Sequence, residues 1–566
     1  MPDRNRLNLV LCWHMHQPQY QTVGDGRYWQ PWVYLHAIKD YVDMAAHIES
    51  IPLARAVVNF SPVLLDQLAD YVDQMHGFLT AGRPLRDPLL GALVGQYPDS
   101  GPARVELMRA CLRAHKTRMI ERFPIYQNLA DMAESVDRDP NYGDYLNDQY
   151  LMDLTVWYHL AWLGETIRRT DSRVERFMDQ GRGFDESSGR DLLAIISELV
   201  AGIIPRYREL ALQGRIELSF TPYSHPIIPL LLDFSAAREA QPDAPLPAAG
   251  GYPGGPDRAR RQIQEGEDVF ARHFGFRPKG CWPSEGALSA ETLGLFEAAD
   301  IRWTASGERV LRHTMEAQRG EWTEAGRHRA YQVPGQRLKC FFRDDGLSDL
   351  IGFSYADWHA DDAIGNLIEH LDNIALATDN SPETVVSIIM DGENAWEYYP
   401  ENGYYFLRAL YDRLARHPGI RLTTFSEYLE EGHETLALPR LVAGSWVNGT
   451  LATWIGQGDK NRAWDILVEA KLVFDRVVAS GRLSEEQRLL AERALAICEG
   501  SDWCWWFGDH NPADAVAQFE RLYRTHVMNL YAVLGETAPL SVREPFVRAG
   551  VGEPARGGVM RSSGAL

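Results

Sequence analysis

The chain of 566 residues contains no run of ~18 apolar residues, the length a helix needs to cross a bilayer. That excludes an ordinary helical membrane span. The apolar run near its start, Leu9 to Cys12, is too short for a secretory signal, so a cytoplasmic protein is expected. Cysteine is scarce: Cys12, Cys111, Cys281, Cys340, Cys498 and Cys504 are scattered without CxxC spacing. Such usage fits reduced thiols and argues against a zinc–cysteine site. Positive charge is short as well, with 57 Lys and Arg against 78 Asp and Glu, a net charge of −21. A surface of that sign repels phosphate, so neither nucleic acid nor an anionic membrane is an expected partner. Internal repeats are absent.

What the chain has in quantity is aromatic side chains, 16 Trp and 24 Tyr, many beside polar residues. Rings with polar neighbours suit sugars, whose apolar faces stack while their hydroxyls need hydrogen bonds. Any single Trp is as readily explained by packing. Hydrophobic residues at 45% and charged residues at 24% allow a large core. The length calls for two or three domains.

Short apolar segments read as strands: Asn8 to Trp13, Ala56 to Phe60, Ile216 to Phe220, Gly280 to Trp282, Arg302 to Ala305, Leu338 to Arg343 and Thr384 to Met390. Helical patterns lie between them, including Arg104 to Phe123, Asp191 to Gly214 with a break at Pro205, Pro256 to Phe274, and Ala290 to Ala298. Strands alternating with helices imply an α/β fold with a parallel sheet. The unusual residues cluster at the C-terminal ends of the strands, as in a β/α barrel. Residues 237–258 are rich in Pro and Gly and read as a mobile loop, either a cover for the site or a tolerated insertion. Beyond about 430 the pattern turns helical. The division is therefore a barrel over 1–430, a helical domain over 431–536 and a loose Gly/Arg/Pro/Ser-rich tail over 537–566.

Four segments carry titratable residues in or just past strands. They are Trp13 to Pro18 with His14 and His16; Glu217 followed by Tyr223 to Pro226 with His225; Cys281 to Ala287 with Glu285; and Met390 to Trp396 with Asp391 and Glu393. Alternate strand residues face one side, so His14 and His16 point into one cavity. Glu285 and Asp391 each follow a strand and precede a Gly, where the backbone can turn sharply. Cleaving a glycosidic bond needs two such carboxyl groups, ~5–5.5 Å apart where one of them attacks the sugar. A lone strand-end acid is more often a helix cap or a surface charge. Four clusters together favour a site.

These segments, in order, resemble the signature regions of glycoside hydrolase family 57. The resemblance rests on His16-Gln17-Pro18, Gly214 to Glu217 with Tyr223 to Pro226, Trp282 to Gly286, Asp391 to Asn394, Gly444 to Trp446 with Trp454 to Gly456, and Ser501 to His510. It covers nearly the whole chain except the tail. It implies an incomplete (β/α)7 barrel followed by a helical C-terminal domain, and a retaining mechanism on α-glucans without a cofactor or metal. It places the nucleophile at Glu285 and the acid/base at Asp391. Gln17, Trp446, Trp503 and Asp509 join His14, His16, Glu217, Tyr223, His225, Trp282 and Glu393 as substrate-binding candidates. The residues after Asp391 match no single specificity, so hydrolysis, transglycosylation and branching stay open.

Chemistry adds further expectations. Glu285 has to be ionised to attack, helped by a donor among His14, His16 and His225. Asp391 has to hold a proton, helped by the charge of Glu393. Two other classes are consistent with parts of the sequence. One is a zinc hydrolase or deacetylase using His14 and His16 with His225, Asp391 or Glu217, which leaves the second carboxylate cluster without a role. The other is a catalytically silent glycan-binding protein, against which both carboxylates count. Oligomeric state is not encoded in any motif.

Overall fold

A computed structural model describes residues 6–138, 140–318, 323–508 and 511–547. Seven parallel strands form its centre: β1 (Leu7–Met15), β2 (Ala56–Phe60), β3 (Ile216–Phe220), β4 (Gly280–Cys281), β5 (Trp303–Gly307), β6 (Lys339–Arg343) and β7 (Val385–Asp391). Each pairs with the next, and β7 returns to β1 over seven residues from Asn8↔Val385 to His14↔Asp391, closing a barrel. The pairing is thinnest at two seams, β3–β4 and β6–β7, each with a single register pair, Phe220↔Cys281 and Arg343↔Ser387. Every residue of β1 is buried. That follows from a barrel strand having side chains on one face and helices on the other.

Alternation along the strands sorts the interior into layers. Val10, Cys12 and Val57 pack with Trp282, Trp303, Phe341, Ile389 and Phe425 in the barrel's own core cluster. His14 continues the inward row of Val10 and Cys12, and its register partners are Asn59 and Asp391. The polar layer therefore sits at the C-terminal mouth, above an apolar plug.

Several boundaries differ from those read in the sequence. The helix α2 (Glu186–Leu212) runs unbroken through Pro205. Packing of its Leu192, Ile196, Ile203 and Tyr207 outweighs the cost of about 3 kcal/mol that an interior proline carries. The helix expected over 104–123 is α1 (Gly101–Ala110), which stops at Ala110, and the freed Cys111 carbonyl accepts from the Tyr126 hydroxyl at 2.6 Å. Leu436–Ala437 still pairs with Tyr331–Gln332, so the sheet passes the boundary at 430.

The C-terminal region comprises α4 (Gly458–Ala479), α5 (Glu485–Cys498) and α6 (Ala513–Val533) with the short helix Asp502–Trp506 between the last two. The tail starts later than 537, because Val542 is buried and the Phe546 ring lies 5.6 Å from Phe507. Its remainder, 548–566, is outside the described residues. Of the segment 237–258, residues Ala237–Ala240 form a helical turn, and α3 (Gly255–Phe274) begins at 255. Among the described residues no helix is long and apolar enough to cross a membrane.

Candidate active site

Both carboxyl groups of interest lie at the barrel mouth. β4 is two residues long, and the chain leaves it in a tight turn with Glu285 in the left-handed region at φ 57°. Few residues other than Gly adopt that conformation, at a cost of order 1–3 kcal/mol. Outside contacts hold the turn there. Trp446 donates its backbone N–H to the Glu285 carbonyl (3.1 Å) and its indole N–H to Glu285 Oε2 (2.9 Å). The Ser306 hydroxyl donates to the Gly286 carbonyl at 2.6 Å. Gly286 is itself left-handed at φ +59°, and a Cβ there would come within 2.8 Å of the Trp282 ring. Asp391 ends β7 opposite His14, with Asn394 Nδ2 donating to Oδ2 at 2.8 Å. A Cβ at Gly392 would meet Met15 Sδ at 2.2 Å, so a larger residue there would have to push the Met15 side chain aside.

Both carboxyls resist ionisation. Burial, and then the charge of Asp391, push Glu285 up to about 8, against the Trp446 donor. Burial also raises Asp391, and Asn394, His16 and Arg343 offset it. The pair thus retains a proton at neutral pH.

Three histidines line the floor beside them. His14, His16 and His225 stack almost parallel, with interplanar angles of 15–16° and centroid separations of 5.6, 5.1 and 3.8 Å. Each ring nitrogen has a partner. His14 Nδ1 meets Asn59 Oδ1 at 2.7 Å and His14 Nε2 meets His225 Nε2 at 3.1 Å, while His225 Nδ1 meets Ser501 Oγ at 2.8 Å. With Asn59 Oδ1 as acceptor the chain has one polarity: His14 Nδ1–H donates to it, and His225 Nε2–H donates to His14. Ser501 then donates to His225 Nδ1. His16 spans Ser61 Oγ and Asp502 Oδ1, each at 2.8 Å. Burial holds His14 down at about 3 and His225 well below the usual histidine range, so both are neutral.

The three rings are also the one group among the described residues placed to hold a metal, with ligand atoms within 4.8 Å of one another. Ligand lone pairs have to converge in the ring planes, whereas stacked rings aim theirs side by side. A metal there would also displace the His14–His225 hydrogen bond. The histidine set therefore fits hydrogen bonding better than ligation. Glu217 is no ligand either, as its position below shows.

The glycosyl hydrolase family 57 model matches residues 10–439. The chain belongs to that family. Structures of similar fold include a family 57 branching enzyme from Thermococcus kodakaraensis, at 17% identity and TM-score 0.56, covering 93% of this chain and 90% of that one. An α-amylase from Thermotoga maritima aligns at 14% identity and TM-score 0.56, covering 95% and 96%. A 4-α-glucanotransferase from Thermococcus litoralis aligns at 15% and 0.51, covering 93% and 60%. No curated protein matches the chain significantly.

Within this family 57 chain the sequence-derived site residues divide into two groups. His14, His16, His225, Glu285, Asp391 and Trp446 meet at the mouth. Gln17 and Glu393 are buried just past the ends of β1 and β7. The Glu393 carboxyl accepts from the His16 N–H (3.0 Å) and from Gln17 Nε2 (3.2 Å), and burial holds it well above the carboxylate range. Glu393 is not among the groups that raise Asp391, contrary to expectation; burial raises Asp391, and the charge of Asp391 raises Glu393 instead.

Others move away from substrate. Glu217 pairs with Val57, two residues or about 6.6 Å below the Asn59–Ser219 level, and is spent on Trp303 Nε1 (2.6 Å) and the Ser426 N–H (2.9 Å). Tyr223 is buried, with its hydroxyl on Asp66. Trp503 is 2% exposed and donates to the Ile497 carbonyl, so it is core rather than a stacking platform. Trp282 is buried edge-on against Trp446 at 5.2 Å and shapes the Glu285 turn. Asp509 lies outside the described residues. His225 sits 4.0 Å from Glu285 Oε1 through Nδ1, whose lone pair takes the Ser501 proton in the polarity above. The donor to Glu285 is Trp446, not a histidine.

Sequence reasoning missed Asn59, Ser61, Asn394, Ser501 and Asp502. Asn59 was visible as the one polar residue in the strand Ala-Val-Val-Asn-Phe. Ser501 and Asp502 were masked by the tryptophans that follow them.

Proposed function

We propose that the protein is a retaining glucan-processing enzyme that acts on α-linked glucans through a covalent glycosyl-enzyme. Glu285 is the nucleophile and Asp391 the general acid/base. The observation that carries this reading is the pair itself: two buried carboxyls at the mouth of a family 57 barrel, electrostatically coupled and both raised, so that one proton is shared between them. Glu285, raised to about 8, holds a proton at neutral pH, the reverse of what attack requires. A glycosidic oxygen approaching Asp391 accepts a hydrogen bond from the protonated acid, and the Trp446 N–H stabilises the ionised Glu285. Substrate therefore draws the proton to Asp391.

Glu285 then attacks the anomeric carbon while Asp391 protonates the departing oxygen. Asp391 next deprotonates water or an acceptor hydroxyl that displaces Glu285. Water gives hydrolysis; a 4-OH or 6-OH of another glucan gives elongation or branching. Maltoheptaose tests this. Shorter chains, or shorter and longer ones together, are expected with the α configuration retained by NMR and with no effect of EDTA. Inversion at the anomeric centre would overturn the mechanism, and loss of activity to EDTA would overturn the metal-free reading.

A further inference from the structure

A buried polar network joins the helical region to the Tyr223–His225 turn: the Ser224 hydroxyl reaches the Ala496 carbonyl, Ser501 holds His225 at both its carbonyl and Nδ1, and one amide bonds to both sides. Gln262 on α3 accepts at Oε1 from the Ser224 N–H (3.0 Å) and hydroxyl (3.1 Å), and its backbone carbonyl accepts from the Tyr223 N–H (2.8 Å). Its Nε2 donates the other way, to the Ala496 carbonyl (3.2 Å) and to Glu499 Oε2 (2.7 Å). Glu499 is itself saturated by the Tyr252 hydroxyl (2.7 Å), Arg258 Nε (2.6 Å) and Arg258 NH2 (3.0 Å). Arg258 reaches Glu492 as well, at 2.7 Å. The next residue after Ser224 is His225, left-handed at φ 61°, whose carbonyl accepts from the Ser501 N–H at 2.9 Å. Gly500 leaves room for this contact, because a Cβ would lie 2.9 Å from the Ser224 carbonyl.

We infer that Gln262 is a positioning residue for the reaction: it registers the helical region against the Tyr223–His225 turn and so sets His225 beside Glu285. The inference rests on the mechanism proposed above. A glutamine suits the place because one planar group presents an acceptor to Ser224 and a donor to a carboxylate. The charged and titratable groups of this network are Glu499, Arg258, Glu492 and Tyr252 on one side of Gln262, with the Ala496 carbonyl; Ser224 is on the other. His225 in turn faces His14, His16, Glu285 and Ser501. Losing the register displaces an imidazole packed against the nucleophile, and a shift of about 1 Å costs on the order of 10²-fold in rate.

The test compares Gln262→Met, Gln262→Glu and Ser224→Ala with the parent on maltoheptaose. Gln262→Met should lower kcat by roughly 10- to 100-fold with KM changed less than about twofold, and should shift the pH–rate profile. Gln262→Glu keeps the acceptor, and protonated it also donates to Glu499, whose charge raises its pKa. Its activity should therefore recover towards the parent as pH falls from 8 to 6, a recovery that Gln262→Met does not share. If Gln262→Met does not fold, Ser224→Ala, which removes the hydroxyl that reaches both Gln262 Oε1 and the Ala496 carbonyl, should show the same kcat-selective loss at smaller size. Parental kcat in folded Gln262→Met would overturn the inference, as would a loss matched by falling thermal stability with an unchanged pH profile. An active Glu285→Gln would instead overturn the mechanism on which the inference rests.

Discussion

The two carboxyl-bearing turns occupy equivalent places, yet they are held in opposite ways. Asp391 ends a seven-residue strand in continuous register with β1, and its hydrogen-bond donor is three residues along. Glu285 follows a two-residue strand, has a left-handed backbone, and is gripped by Trp446, 161 residues away in sequence. One turn is specified locally; the other is specified by the assembled protein. Glu285 should accordingly respond to distant substitutions that leave Asp391 unaffected.

The largest effects come from the carboxyls themselves. Glu285→Gln should lower kcat by ~10⁴-fold or more on every substrate. Asp391→Asn should cost ~10²–10⁴-fold on maltoheptaose. It should still form the glycosyl-enzyme from an α-maltosyl fluoride, whose leaving group needs no proton, and azide should restore turnover. Equal loss of both steps in both variants would erase the distinction between them.

Trp446→Phe comes next. A hydrogen bond to a charged group contributes about 1.5–3 kcal/mol, so a loss of roughly 10- to 100-fold in kcat is expected. The missing donor had lowered the Glu285 pKa. Without it Glu285 ionises later, and the acid limb of the pH–rate profile moves to higher pH. Asn394→Ala should cost less than about 10-fold, as a neutral partner of one carboxyl oxygen. Asn394 lowers Asp391, so its removal raises that pKa and moves the alkaline limb upward. Shifts in the same limb from both variants would show that the two turns are not independently set. Trp503→Ala should leave kcat of the folded enzyme unchanged and lower stability by about 3–5 kcal/mol in a denaturant titration.

The same contrast explains what the sequence made legible. Barrel strands are near-continuous apolar runs, so β1, β3 and β7 were readable within one or two residues, and the inward row of His14 and His16 followed from the period of two. Asp391 belongs to that readable part, although its partner Asn394, three residues along, was missed. The Ser501 and Asp502 contacts are fixed by how the helical region docks, and nothing in a linear pattern reports which of two adjacent side chains will reach a cleft. Trp503 shows the error this invites: an aromatic residue beside polar ones was read as a platform, whereas its neighbour Asp502 carries the contact with His16. Glu217 shows another, since a charged residue inside a barrel strand looks functional until register places it a layer too low.

The central claim is tested most directly by trapping the intermediate. Asp391→Asn incubated with α-maltosyl fluoride lacks the base for deglycosylation, so the glycosyl-enzyme should accumulate. Peptide mass spectrometry should then find a maltosyl group on the fragment carrying Glu285, and none after Glu285→Gln is added to the same background. A label on any other carboxylate, or turnover of the fluoride with no labelled peptide, would contradict the assignment.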